Sequence, residues 1–184
     1  MIKNLEKTLS DLEKMELETS EGVIPAQMYS QMLAIYLYQN ELCNAKYLWK
    51  RIPMIVKENS TDLKNIWTVA QKMWLRDWPA VYAALDCSWN KIVEEIMLAL
   101  KERIRDRALT LIGDAYSFLD INTLASMIGA TPDDSRQIAT SKGWTITGNM
   151  VKPSKVCKPQ TSAHEAITED QLYKLTQFVS FLEN

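Results

Sequence analysis

Histidine and cysteine are the most chemically versatile residues, and both are scarce in this chain. The sequence holds one histidine, His164, and three cysteines, Cys43, Cys87 and Cys157, which lie far apart. A zinc site with paired histidines, or a nucleophile activated by a histidine, needs partners at spacings that these residues do not offer. We therefore expect neither a metal site nor nucleophilic catalysis.

Paired carboxylates could serve as a general acid and base, and two adjacent pairs occur, Glu94-Glu95 and Asp133-Asp134. Adjacent residues of a helix point about 100° apart around its axis, so neither pair converges on one substrate atom. The five glycines are scattered and form no phosphate-binding loop. The sequence predicts no enzyme: no catalytic residue, no cofactor and no small-molecule substrate.

The composition predicts a helical protein. Of 184 residues only five are glycine and six proline, which argues against a loop-rich β fold. The net charge is −2 with both signs spread along the chain, whereas nucleic-acid-binding proteins usually concentrate basic residues on one face. No segment approaches the roughly 20 apolar residues of a membrane span. Neither nucleic acid nor a membrane is expected as a partner.

Apolar residues at helical spacing divide residues 1–118 into paired helices. One helix is predicted within residues 1–18, one from Pro25 to Gln39, and one from Leu42 to the residue before Pro53. A shift of 36 positions superimposes similar residues: Ala34 on Ala70, Leu37 on Met73, Tyr38 on Trp74, Asn40-Glu41 on Arg76-Asp77 and Ala45 on Val81. This predicts tetratricopeptide-like repeats, with two unrelated helical hairpins as the alternative.

Four tryptophans, Trp49, Trp67, Trp74 and Trp78, lie in or beside these pairs. They fall on the internal positions of the repeat, which favours packing between helices. An aromatic groove that binds a peptide is the alternative interpretation.

A long helix is predicted after Ser88-Trp89-Asn90, with acidic residues first and Arg103, Arg105 and Arg107 further along, an order that suits the helix dipole. Residues 119–152 then follow the order of a winged helix. The signals are Asp120 as a cap, Gly129 as a stop, Thr131-Pro132 as a second start, and strands at 144–147 and from Met150 around the turn Gly148-Asn149. Because Asp133 and Asp134 begin the second helix, phosphates would be repelled, and docking to a protein is favoured over DNA.

The end of the chain combines a linker with an apolar helix. Residues 153–167 carry prolines, hydroxyl residues and lysines without an apolar period, which predicts a flexible linker. Residues 168–184 predict a helix whose apolar residues form one seam: Leu172, Leu175, Val179 and Leu182, with Phe178 beside them. Because an isolated short helix is only marginally stable in water, the seam must pack against another apolar surface. It either folds back on its own domain or joins a bundle with other chains.

Four segments carry a family resemblance: Ala45–Pro53, Gln71–Asp77, Gly143-Trp144 and Leu175–Asn184. They resemble the PCI-domain family of the signalosome, the proteasome lid and translation initiation factor three, and most closely its small signalosome members. The resemblance covers most of residues 28–184. It implies a mainly α fold in which tetratricopeptide-like repeats precede a winged helix and a C-terminal helix.

The resemblance also implies a function. The signalosome removes a ubiquitin-like modifier from cullins and so regulates cullin–RING ubiquitin ligases, and its chemistry resides in a zinc-containing subunit. This chain would be a non-catalytic scaffold of that complex in the nucleus and cytoplasm. The alternatives are a small subunit of the proteasome lid or of initiation factor three, and a winged-helix nucleic-acid-binding protein.

The same resemblance implies two sets of partner-binding residues. The wing would contact a larger PCI subunit, the third of the complex, and the C-terminal helix would join a bundle of helices from all subunits. Carried over to this chain, the wing contacts would be Ile146, Met150 and Val151. The bundle contacts would be Leu172, Leu175, Phe178, Val179 and Leu182.

Overall fold

Helices dominate the described part of the chain, which comprises residues 5–19, 23–154, 172–177 and 179 of a computed structural model. The chain divides into two units, Met1–Ser154 and Lys155–Asn184. The first unit contains α1 (Leu5–Glu18), α2 (Ala26–Gln39), α3 (Leu42–Arg51), α4 (Met54–Asn59), α5 (Thr61–Leu75), α6 (Trp78–Leu85), α7 (Lys91–Ala115), β1 (Leu119–Asp120), α8 (Ile121–Ile128), α9 (Pro132–Ser141), β2 (Thr145–Thr147) and β3 (Met150–Lys152). The described residues of the second unit are helical.

The corners of the pairs α2–α3 and α5–α6 have the same backbone geometry. α2 ends at Asn40 and α5 at Arg76, and both residues adopt the left-handed conformation, with φ of 67° and 57°. In each corner the following N–H donates to a carbonyl five positions back, Glu41 to Tyr36 at 2.9 Å and Asp77 to Lys72 at 3.2 Å. The same bonds recur at the predicted spacing of 36 residues, so the repeat of this corner is confirmed.

The second corner is conformationally strained, because arginine rarely adopts positive φ. We expect Arg76→Gly to raise the free energy of unfolding by up to about 1 kcal/mol, the relief of strain less the greater freedom of glycine in the unfolded chain. Asn40→Gly should give a smaller gain, since asparagine tolerates this conformation. Urea unfolding of both variants measures the difference. Equal gains, or a loss for Arg76→Gly, would contradict the assigned corner geometry.

The first hydrophobic core lies among α1–α7, and α2 is its centre. Six consecutive residues of α2, from Met32 to Leu37, are buried because other helices cover it on several sides. Trp49 of α3 stacks on Trp67 of α5 with ring centroids 4.8 Å apart, as the packing interpretation predicts. Trp74 differs, because 49% of its side chain is exposed. The short helix α4, which follows Pro53 directly, was not predicted.

Two arginines of α7 stabilise the ends of other helices. The predicted match to the dipole of α7 itself is confirmed at the start, where Glu94 lies in the first turn, but not at the end, where the last turn before Ala115 has no basic residue. Instead, Arg107 Nη2 donates to the carbonyl of Tyr38 at the end of α2, at 3.0 Å. Arg105 Nε donates to the carbonyl of Ile128 at the end of α8, at 3.1 Å. Burial lowers the pKa of Arg107.

A second core lies between the C-terminal half of α7, the helices α8 and α9, and a three-stranded antiparallel sheet in the order β1-β3-β2. The predicted caps of α8 and α9 are confirmed: Asp120 accepts the N–H of Asn122, and Thr131 accepts that of Asp134. The hairpin β2–β3 is also present, with Gly148 at φ +62° in its turn. The two-residue strand β1, which pairs with β3, was not predicted.

Tyr82 of α6 belongs to the first core and is buried beside Gly129 at the end of α8, and its hydroxyl has no hydrogen-bond partner within the described part of the chain. Burial raises the pKa of Tyr82 to about 12 from its ordinary value of 10.0, an effect that nearby Arg105 partly opposes. The folded state therefore prefers the neutral phenol. The resulting stability is present below pH 10 and is lost as the pH rises towards 12.

We expect Tyr82→Phe to lose less stability than the wild type between pH 9 and 11, because phenylalanine has no proton to release. At neutral pH the variant should be as stable as the wild type or about 1 kcal/mol more stable, since the unpaired buried hydroxyl is gone. Urea unfolding over this pH range provides the measurement. Tyr29 and Tyr36, whose pKa values burial also raises, remain in both proteins. An unchanged pH dependence would show that Tyr82 is not the group responsible.

Candidate partner-binding surfaces

The register of the sheet decides which wing residues face outward. Leu119, Val151 and Ile146 are paired across β1, β3 and β2 and form one row. Val151 is fully buried, and Ile146 is half-buried against the second core. Because strand residues alternate between faces, Met150 points the other way, and 44% of it is exposed.

The predicted set of wing contacts is therefore corrected at Val151. This side chain supports the hairpin from within and is not available to a partner at the surface. Ile146 and Met150 lie on opposite faces of the sheet, so one flat partner surface would not contact both equally. Of the three predicted residues, Met150 is the one presented to solvent.

The outer face of the wing includes Phe118, which sequence reasoning missed. Its side chain is 58% exposed, and Lys152 Nζ lies 5.7 Å from the centre of its ring. Phe118 directly precedes β1 and, by the register of β1 with β3, lies on the same face as Met150. The signal in the sequence was weak, because β1 has only two residues. Phe118 and Met150 together form an exposed apolar surface beside Lys152.

The N-terminal end of α9 is acidic and exposed. Thr131 Oγ1 accepts the N–H of Asp134 at 3.2 Å and donates to its carboxylate at 2.7 Å, while Asp133 occupies the same first turn. These carboxylates satisfy the positive end of the helix dipole. They lie where a DNA-reading helix would meet phosphates and base edges, which is unfavourable for nucleic acid. The surface suits protein contacts better.

The described part of the C-terminal helix exposes three residues of the predicted seam. Leu172, Leu175 and Val179 are 62%, 66% and 54% exposed. Their spacing of three and four places them on one side of a helix. Phe178 and Leu182, the other two predicted bundle residues, lie outside the described residues.

Residues 5–19, 23–154, 172–177 and 179 carry neither a metal site nor a membrane-spanning helix. In these ranges no group of three or more His, Cys, Asp or Glu side chains is placed to hold a metal ion. Within the same ranges, no helix combines the length and the apolar character that crossing a bilayer requires. The exposed apolar residues described above are thus the clearest features of the surface.

Comparison with known proteins shows the family of the chain. Residues 24–165 match the CSN8/PSMD8/EIF3K family. The chain is 37% identical to COP9 signalosome complex subunit 8 of Danio rerio over 182 residues, which cover 97% of the chain and 94% of that protein. It is 32% identical to the subunit 8 of Dictyostelium discoideum over 98% of the chain and 92% of that protein. The subunit 8 of Arabidopsis thaliana is 30% identical over 85% of the chain and 79% of that protein. The chain is a homologue of these subunits and belongs to the CSN8/PSMD8/EIF3K family.

Proposed function

We propose that this chain is a non-catalytic scaffold subunit of a signalosome that removes the ubiquitin-like modifier from cullins, and that it acts with the complex in the nucleus and cytoplasm. The observation that carries the proposal is the similarity to signalosome subunit 8 proteins over 97% of the chain. The chain would contribute surfaces for assembly, while another subunit supplies the zinc chemistry.

The contacts in this proposal are the outer face of the wing and the seam of the C-terminal helix. Phe118 and Met150 would meet a larger PCI subunit, the third of the complex, and Leu172, Leu175 and Val179 would enter a bundle with helices of the other subunits. The exposure of these apolar residues supports both contacts. Phe178 and Leu182 are proposed as members of the same seam.

The division into domains is part of the proposal. A helical-repeat part over residues 1–118 and a winged-helix part over 119–152 would be followed by a linker over 153–167 and the helix over 168–184. Two separate cores support the first two parts, and α7 contributes residues to both, up to Ile104 in the first core and from Leu109 in the second. The long helix therefore connects the two parts rigidly.

Co-expression of the full chain with each candidate PCI subunit, followed by sizing of the product, tests the proposal. We expect a stable complex with the larger PCI subunit of the signalosome, and weaker incorporation of a chain that lacks residues 168–184. Assembly with subunits of the proteasome lid or of initiation factor three would instead favour membership of one of those complexes. The family name CSN8/PSMD8/EIF3K joins three kinds of subunit, so these alternatives are the relevant ones. A truncated chain that assembles as well as the full chain would contradict the bundle.

A further inference from the structure

Two grooves of the first unit are not part of the surfaces described so far. The first, of about 430 Å³, lies between α3 and α5 and includes Leu42, Trp67, Trp74 and Leu75. The second, of about 480 Å³, lies between the repeat corners, α7 and α8, and also includes Leu42. Because Leu42 lines both, the two grooves are adjacent.

The walls of both grooves are apolar and well exposed. Trp74, Leu75 and Leu111 are 49%, 70% and 61% exposed. Large aliphatic and aromatic side chains left open to water over two adjoining grooves indicate a surface for a partner. The charges of the lining residues indicate which charge that partner should carry.

Every charged side chain that lines the two grooves is basic. Lys46 and Lys72 line the first groove, and Arg76 and Arg107 line the second. Four carboxylates are adjacent along the chain to lining residues, and none of them lines a groove. Glu41 accepts from Asn44 at 2.7 Å, Asp77 caps α6 and Asp106 pairs with Lys142 at 3.5 Å, while Asp114 precedes the lining residue Ala115. The net charge of the chain is −2, so this lining is opposite in sign to the whole. An acidic ligand is the complementary one.

The repeat itself indicates a helical ligand. The residue of the first repeat that corresponds to Trp74 is Tyr38, which lies under α7 with Arg103 Cζ 4.6 Å from its ring centre. Trp74 has Lys46 Nζ at the same distance from its ring, but half of its side chain remains open. A helix laid along the grooves would cover Trp74 as α7 covers Tyr38.

We propose that the two grooves bind an acidic amphipathic helix of a partner protein, with its apolar face on Trp74, Leu75 and Leu42 and its carboxylates near Lys46 and Lys72. Single-stranded nucleic acid fits less well, because bases need free ring faces. One face of Trp67 is already stacked on Trp49, and Lys46 lies over Trp74. The residues of this site differ from those proposed for the wing and the C-terminal helix, so its test does not depend on the assembly proposed above.

The test uses a fluorescein-labelled leucine–glutamate amphipathic peptide of roughly 18 residues, about 27 Å long as a helix. Its counterpart has lysine in place of glutamate. Anisotropy with the full chain should show that the acidic peptide binds about tenfold more tightly than the basic one, and that Lys46→Glu with Lys72→Glu removes this preference. The matched control reverses two exposed lysines elsewhere, Lys7→Glu with Lys91→Glu, and should bind like the wild type.

Four outcomes would overturn the proposal. The first is equal binding of the two peptides, and the second is an equal loss of binding in the two double variants. The third is displacement of the acidic peptide by oligo-deoxythymidine, which would assign the grooves to nucleic acid. The fourth is a photo-cross-link from benzoylphenylalanine in place of Gln71 to residues 155–184 of the same chain instead of to the peptide. The neutral pair Lys46→Gln with Lys72→Gln separates charge from unfolding. If charge sets the preference for the acidic peptide, the neutral pair should lose less of it than the glutamate pair, whereas a loss caused by unfolding would not follow the charge.

Discussion

Gly129→Ala is expected to lower the free energy of unfolding by about 3 kcal/mol or more. Gly129 closes α8 at φ +61°, a conformation that costs alanine about 1–2 kcal/mol. A Cβ at this position would lie 2.2 Å from Cγ of Tyr82 and within 2.7 Å of both adjacent ring carbons. Tyr82 is only 4% exposed and cannot turn away, so overpacking adds about 1–3 kcal/mol.

Gly148→Ala is the matched control. Gly148 has φ +62°, and a Cβ there would have no atom within 4 Å, so this variant should show the conformational term alone. Urea unfolding of both variants by tryptophan fluorescence gives the two free energies. In a double-mutant cycle, Tyr82→Ala should relieve part of the cost of Gly129→Ala, because the two residues are in contact. Equal losses for Gly129→Ala and Gly148→Ala would show that α8 does not pack on Tyr82 as described.

The two positions illustrate what can be predicted from the sequence. That Gly129 ends a helix follows from local residues, since glycine alone adopts positive φ without strain. The ring of Tyr82 occupies the space that a side chain at position 129 would need. This contact joins parts of the chain that are far apart in sequence, so no local pattern predicts it. The corners at Asn40 and Arg76 were predictable because two copies of one local motif support each other.

The wing shows where a local pattern is too short. Met150 and Val151 are both apolar, so the alternation that would identify the inner face is absent from β3. The pairing of Val151 with Leu119 and Ile146 shows which face of β3 is buried. Leu119 belongs to β1, a strand of only two residues. Short strands of this kind exist only because the neighbouring strand and core hold them.

The long helix α7 shows a second limit. Apolar residues at helical spacing along α7 include Leu111, yet Leu111 is 61% exposed and Leu109 is buried. The helix packs on α2 along the first core and on α8 further along, so the buried stripe changes direction between the two. The arginines of α7 are a further example of contacts that are distant in sequence. Arg105 and Arg107 donate to carbonyls at the ends of α8 and α2 instead of complementing the C-terminus of α7.

Leu172→Asp with Leu175→Asp is expected to weaken incorporation into the signalosome by at least about a hundredfold. Both side chains are more than 60% exposed, so burying each in a bundle would stabilise the complex by about 1.5–3 kcal/mol. Aspartate loses this gain and adds an unpaired carboxylate to an apolar interface, and each 1.4 kcal/mol corresponds to about a tenfold change in affinity. Sizing and quantitative co-purification after co-expression measure the change.

The control places two aspartates on another side of the same helix, Tyr173→Asp with Gln177→Asp. These side chains bond to each other at 3.0 Å and are exposed, so the control adds the same charge and a similar loss of helix propensity without touching the seam. If both double variants lose assembly equally, the loss comes from a weakened helix and not from the seam. If the seam variant instead lowers the unfolding free energy of the isolated chain, the seam folds back on its own domain, and a bundle with other subunits is the wrong interpretation.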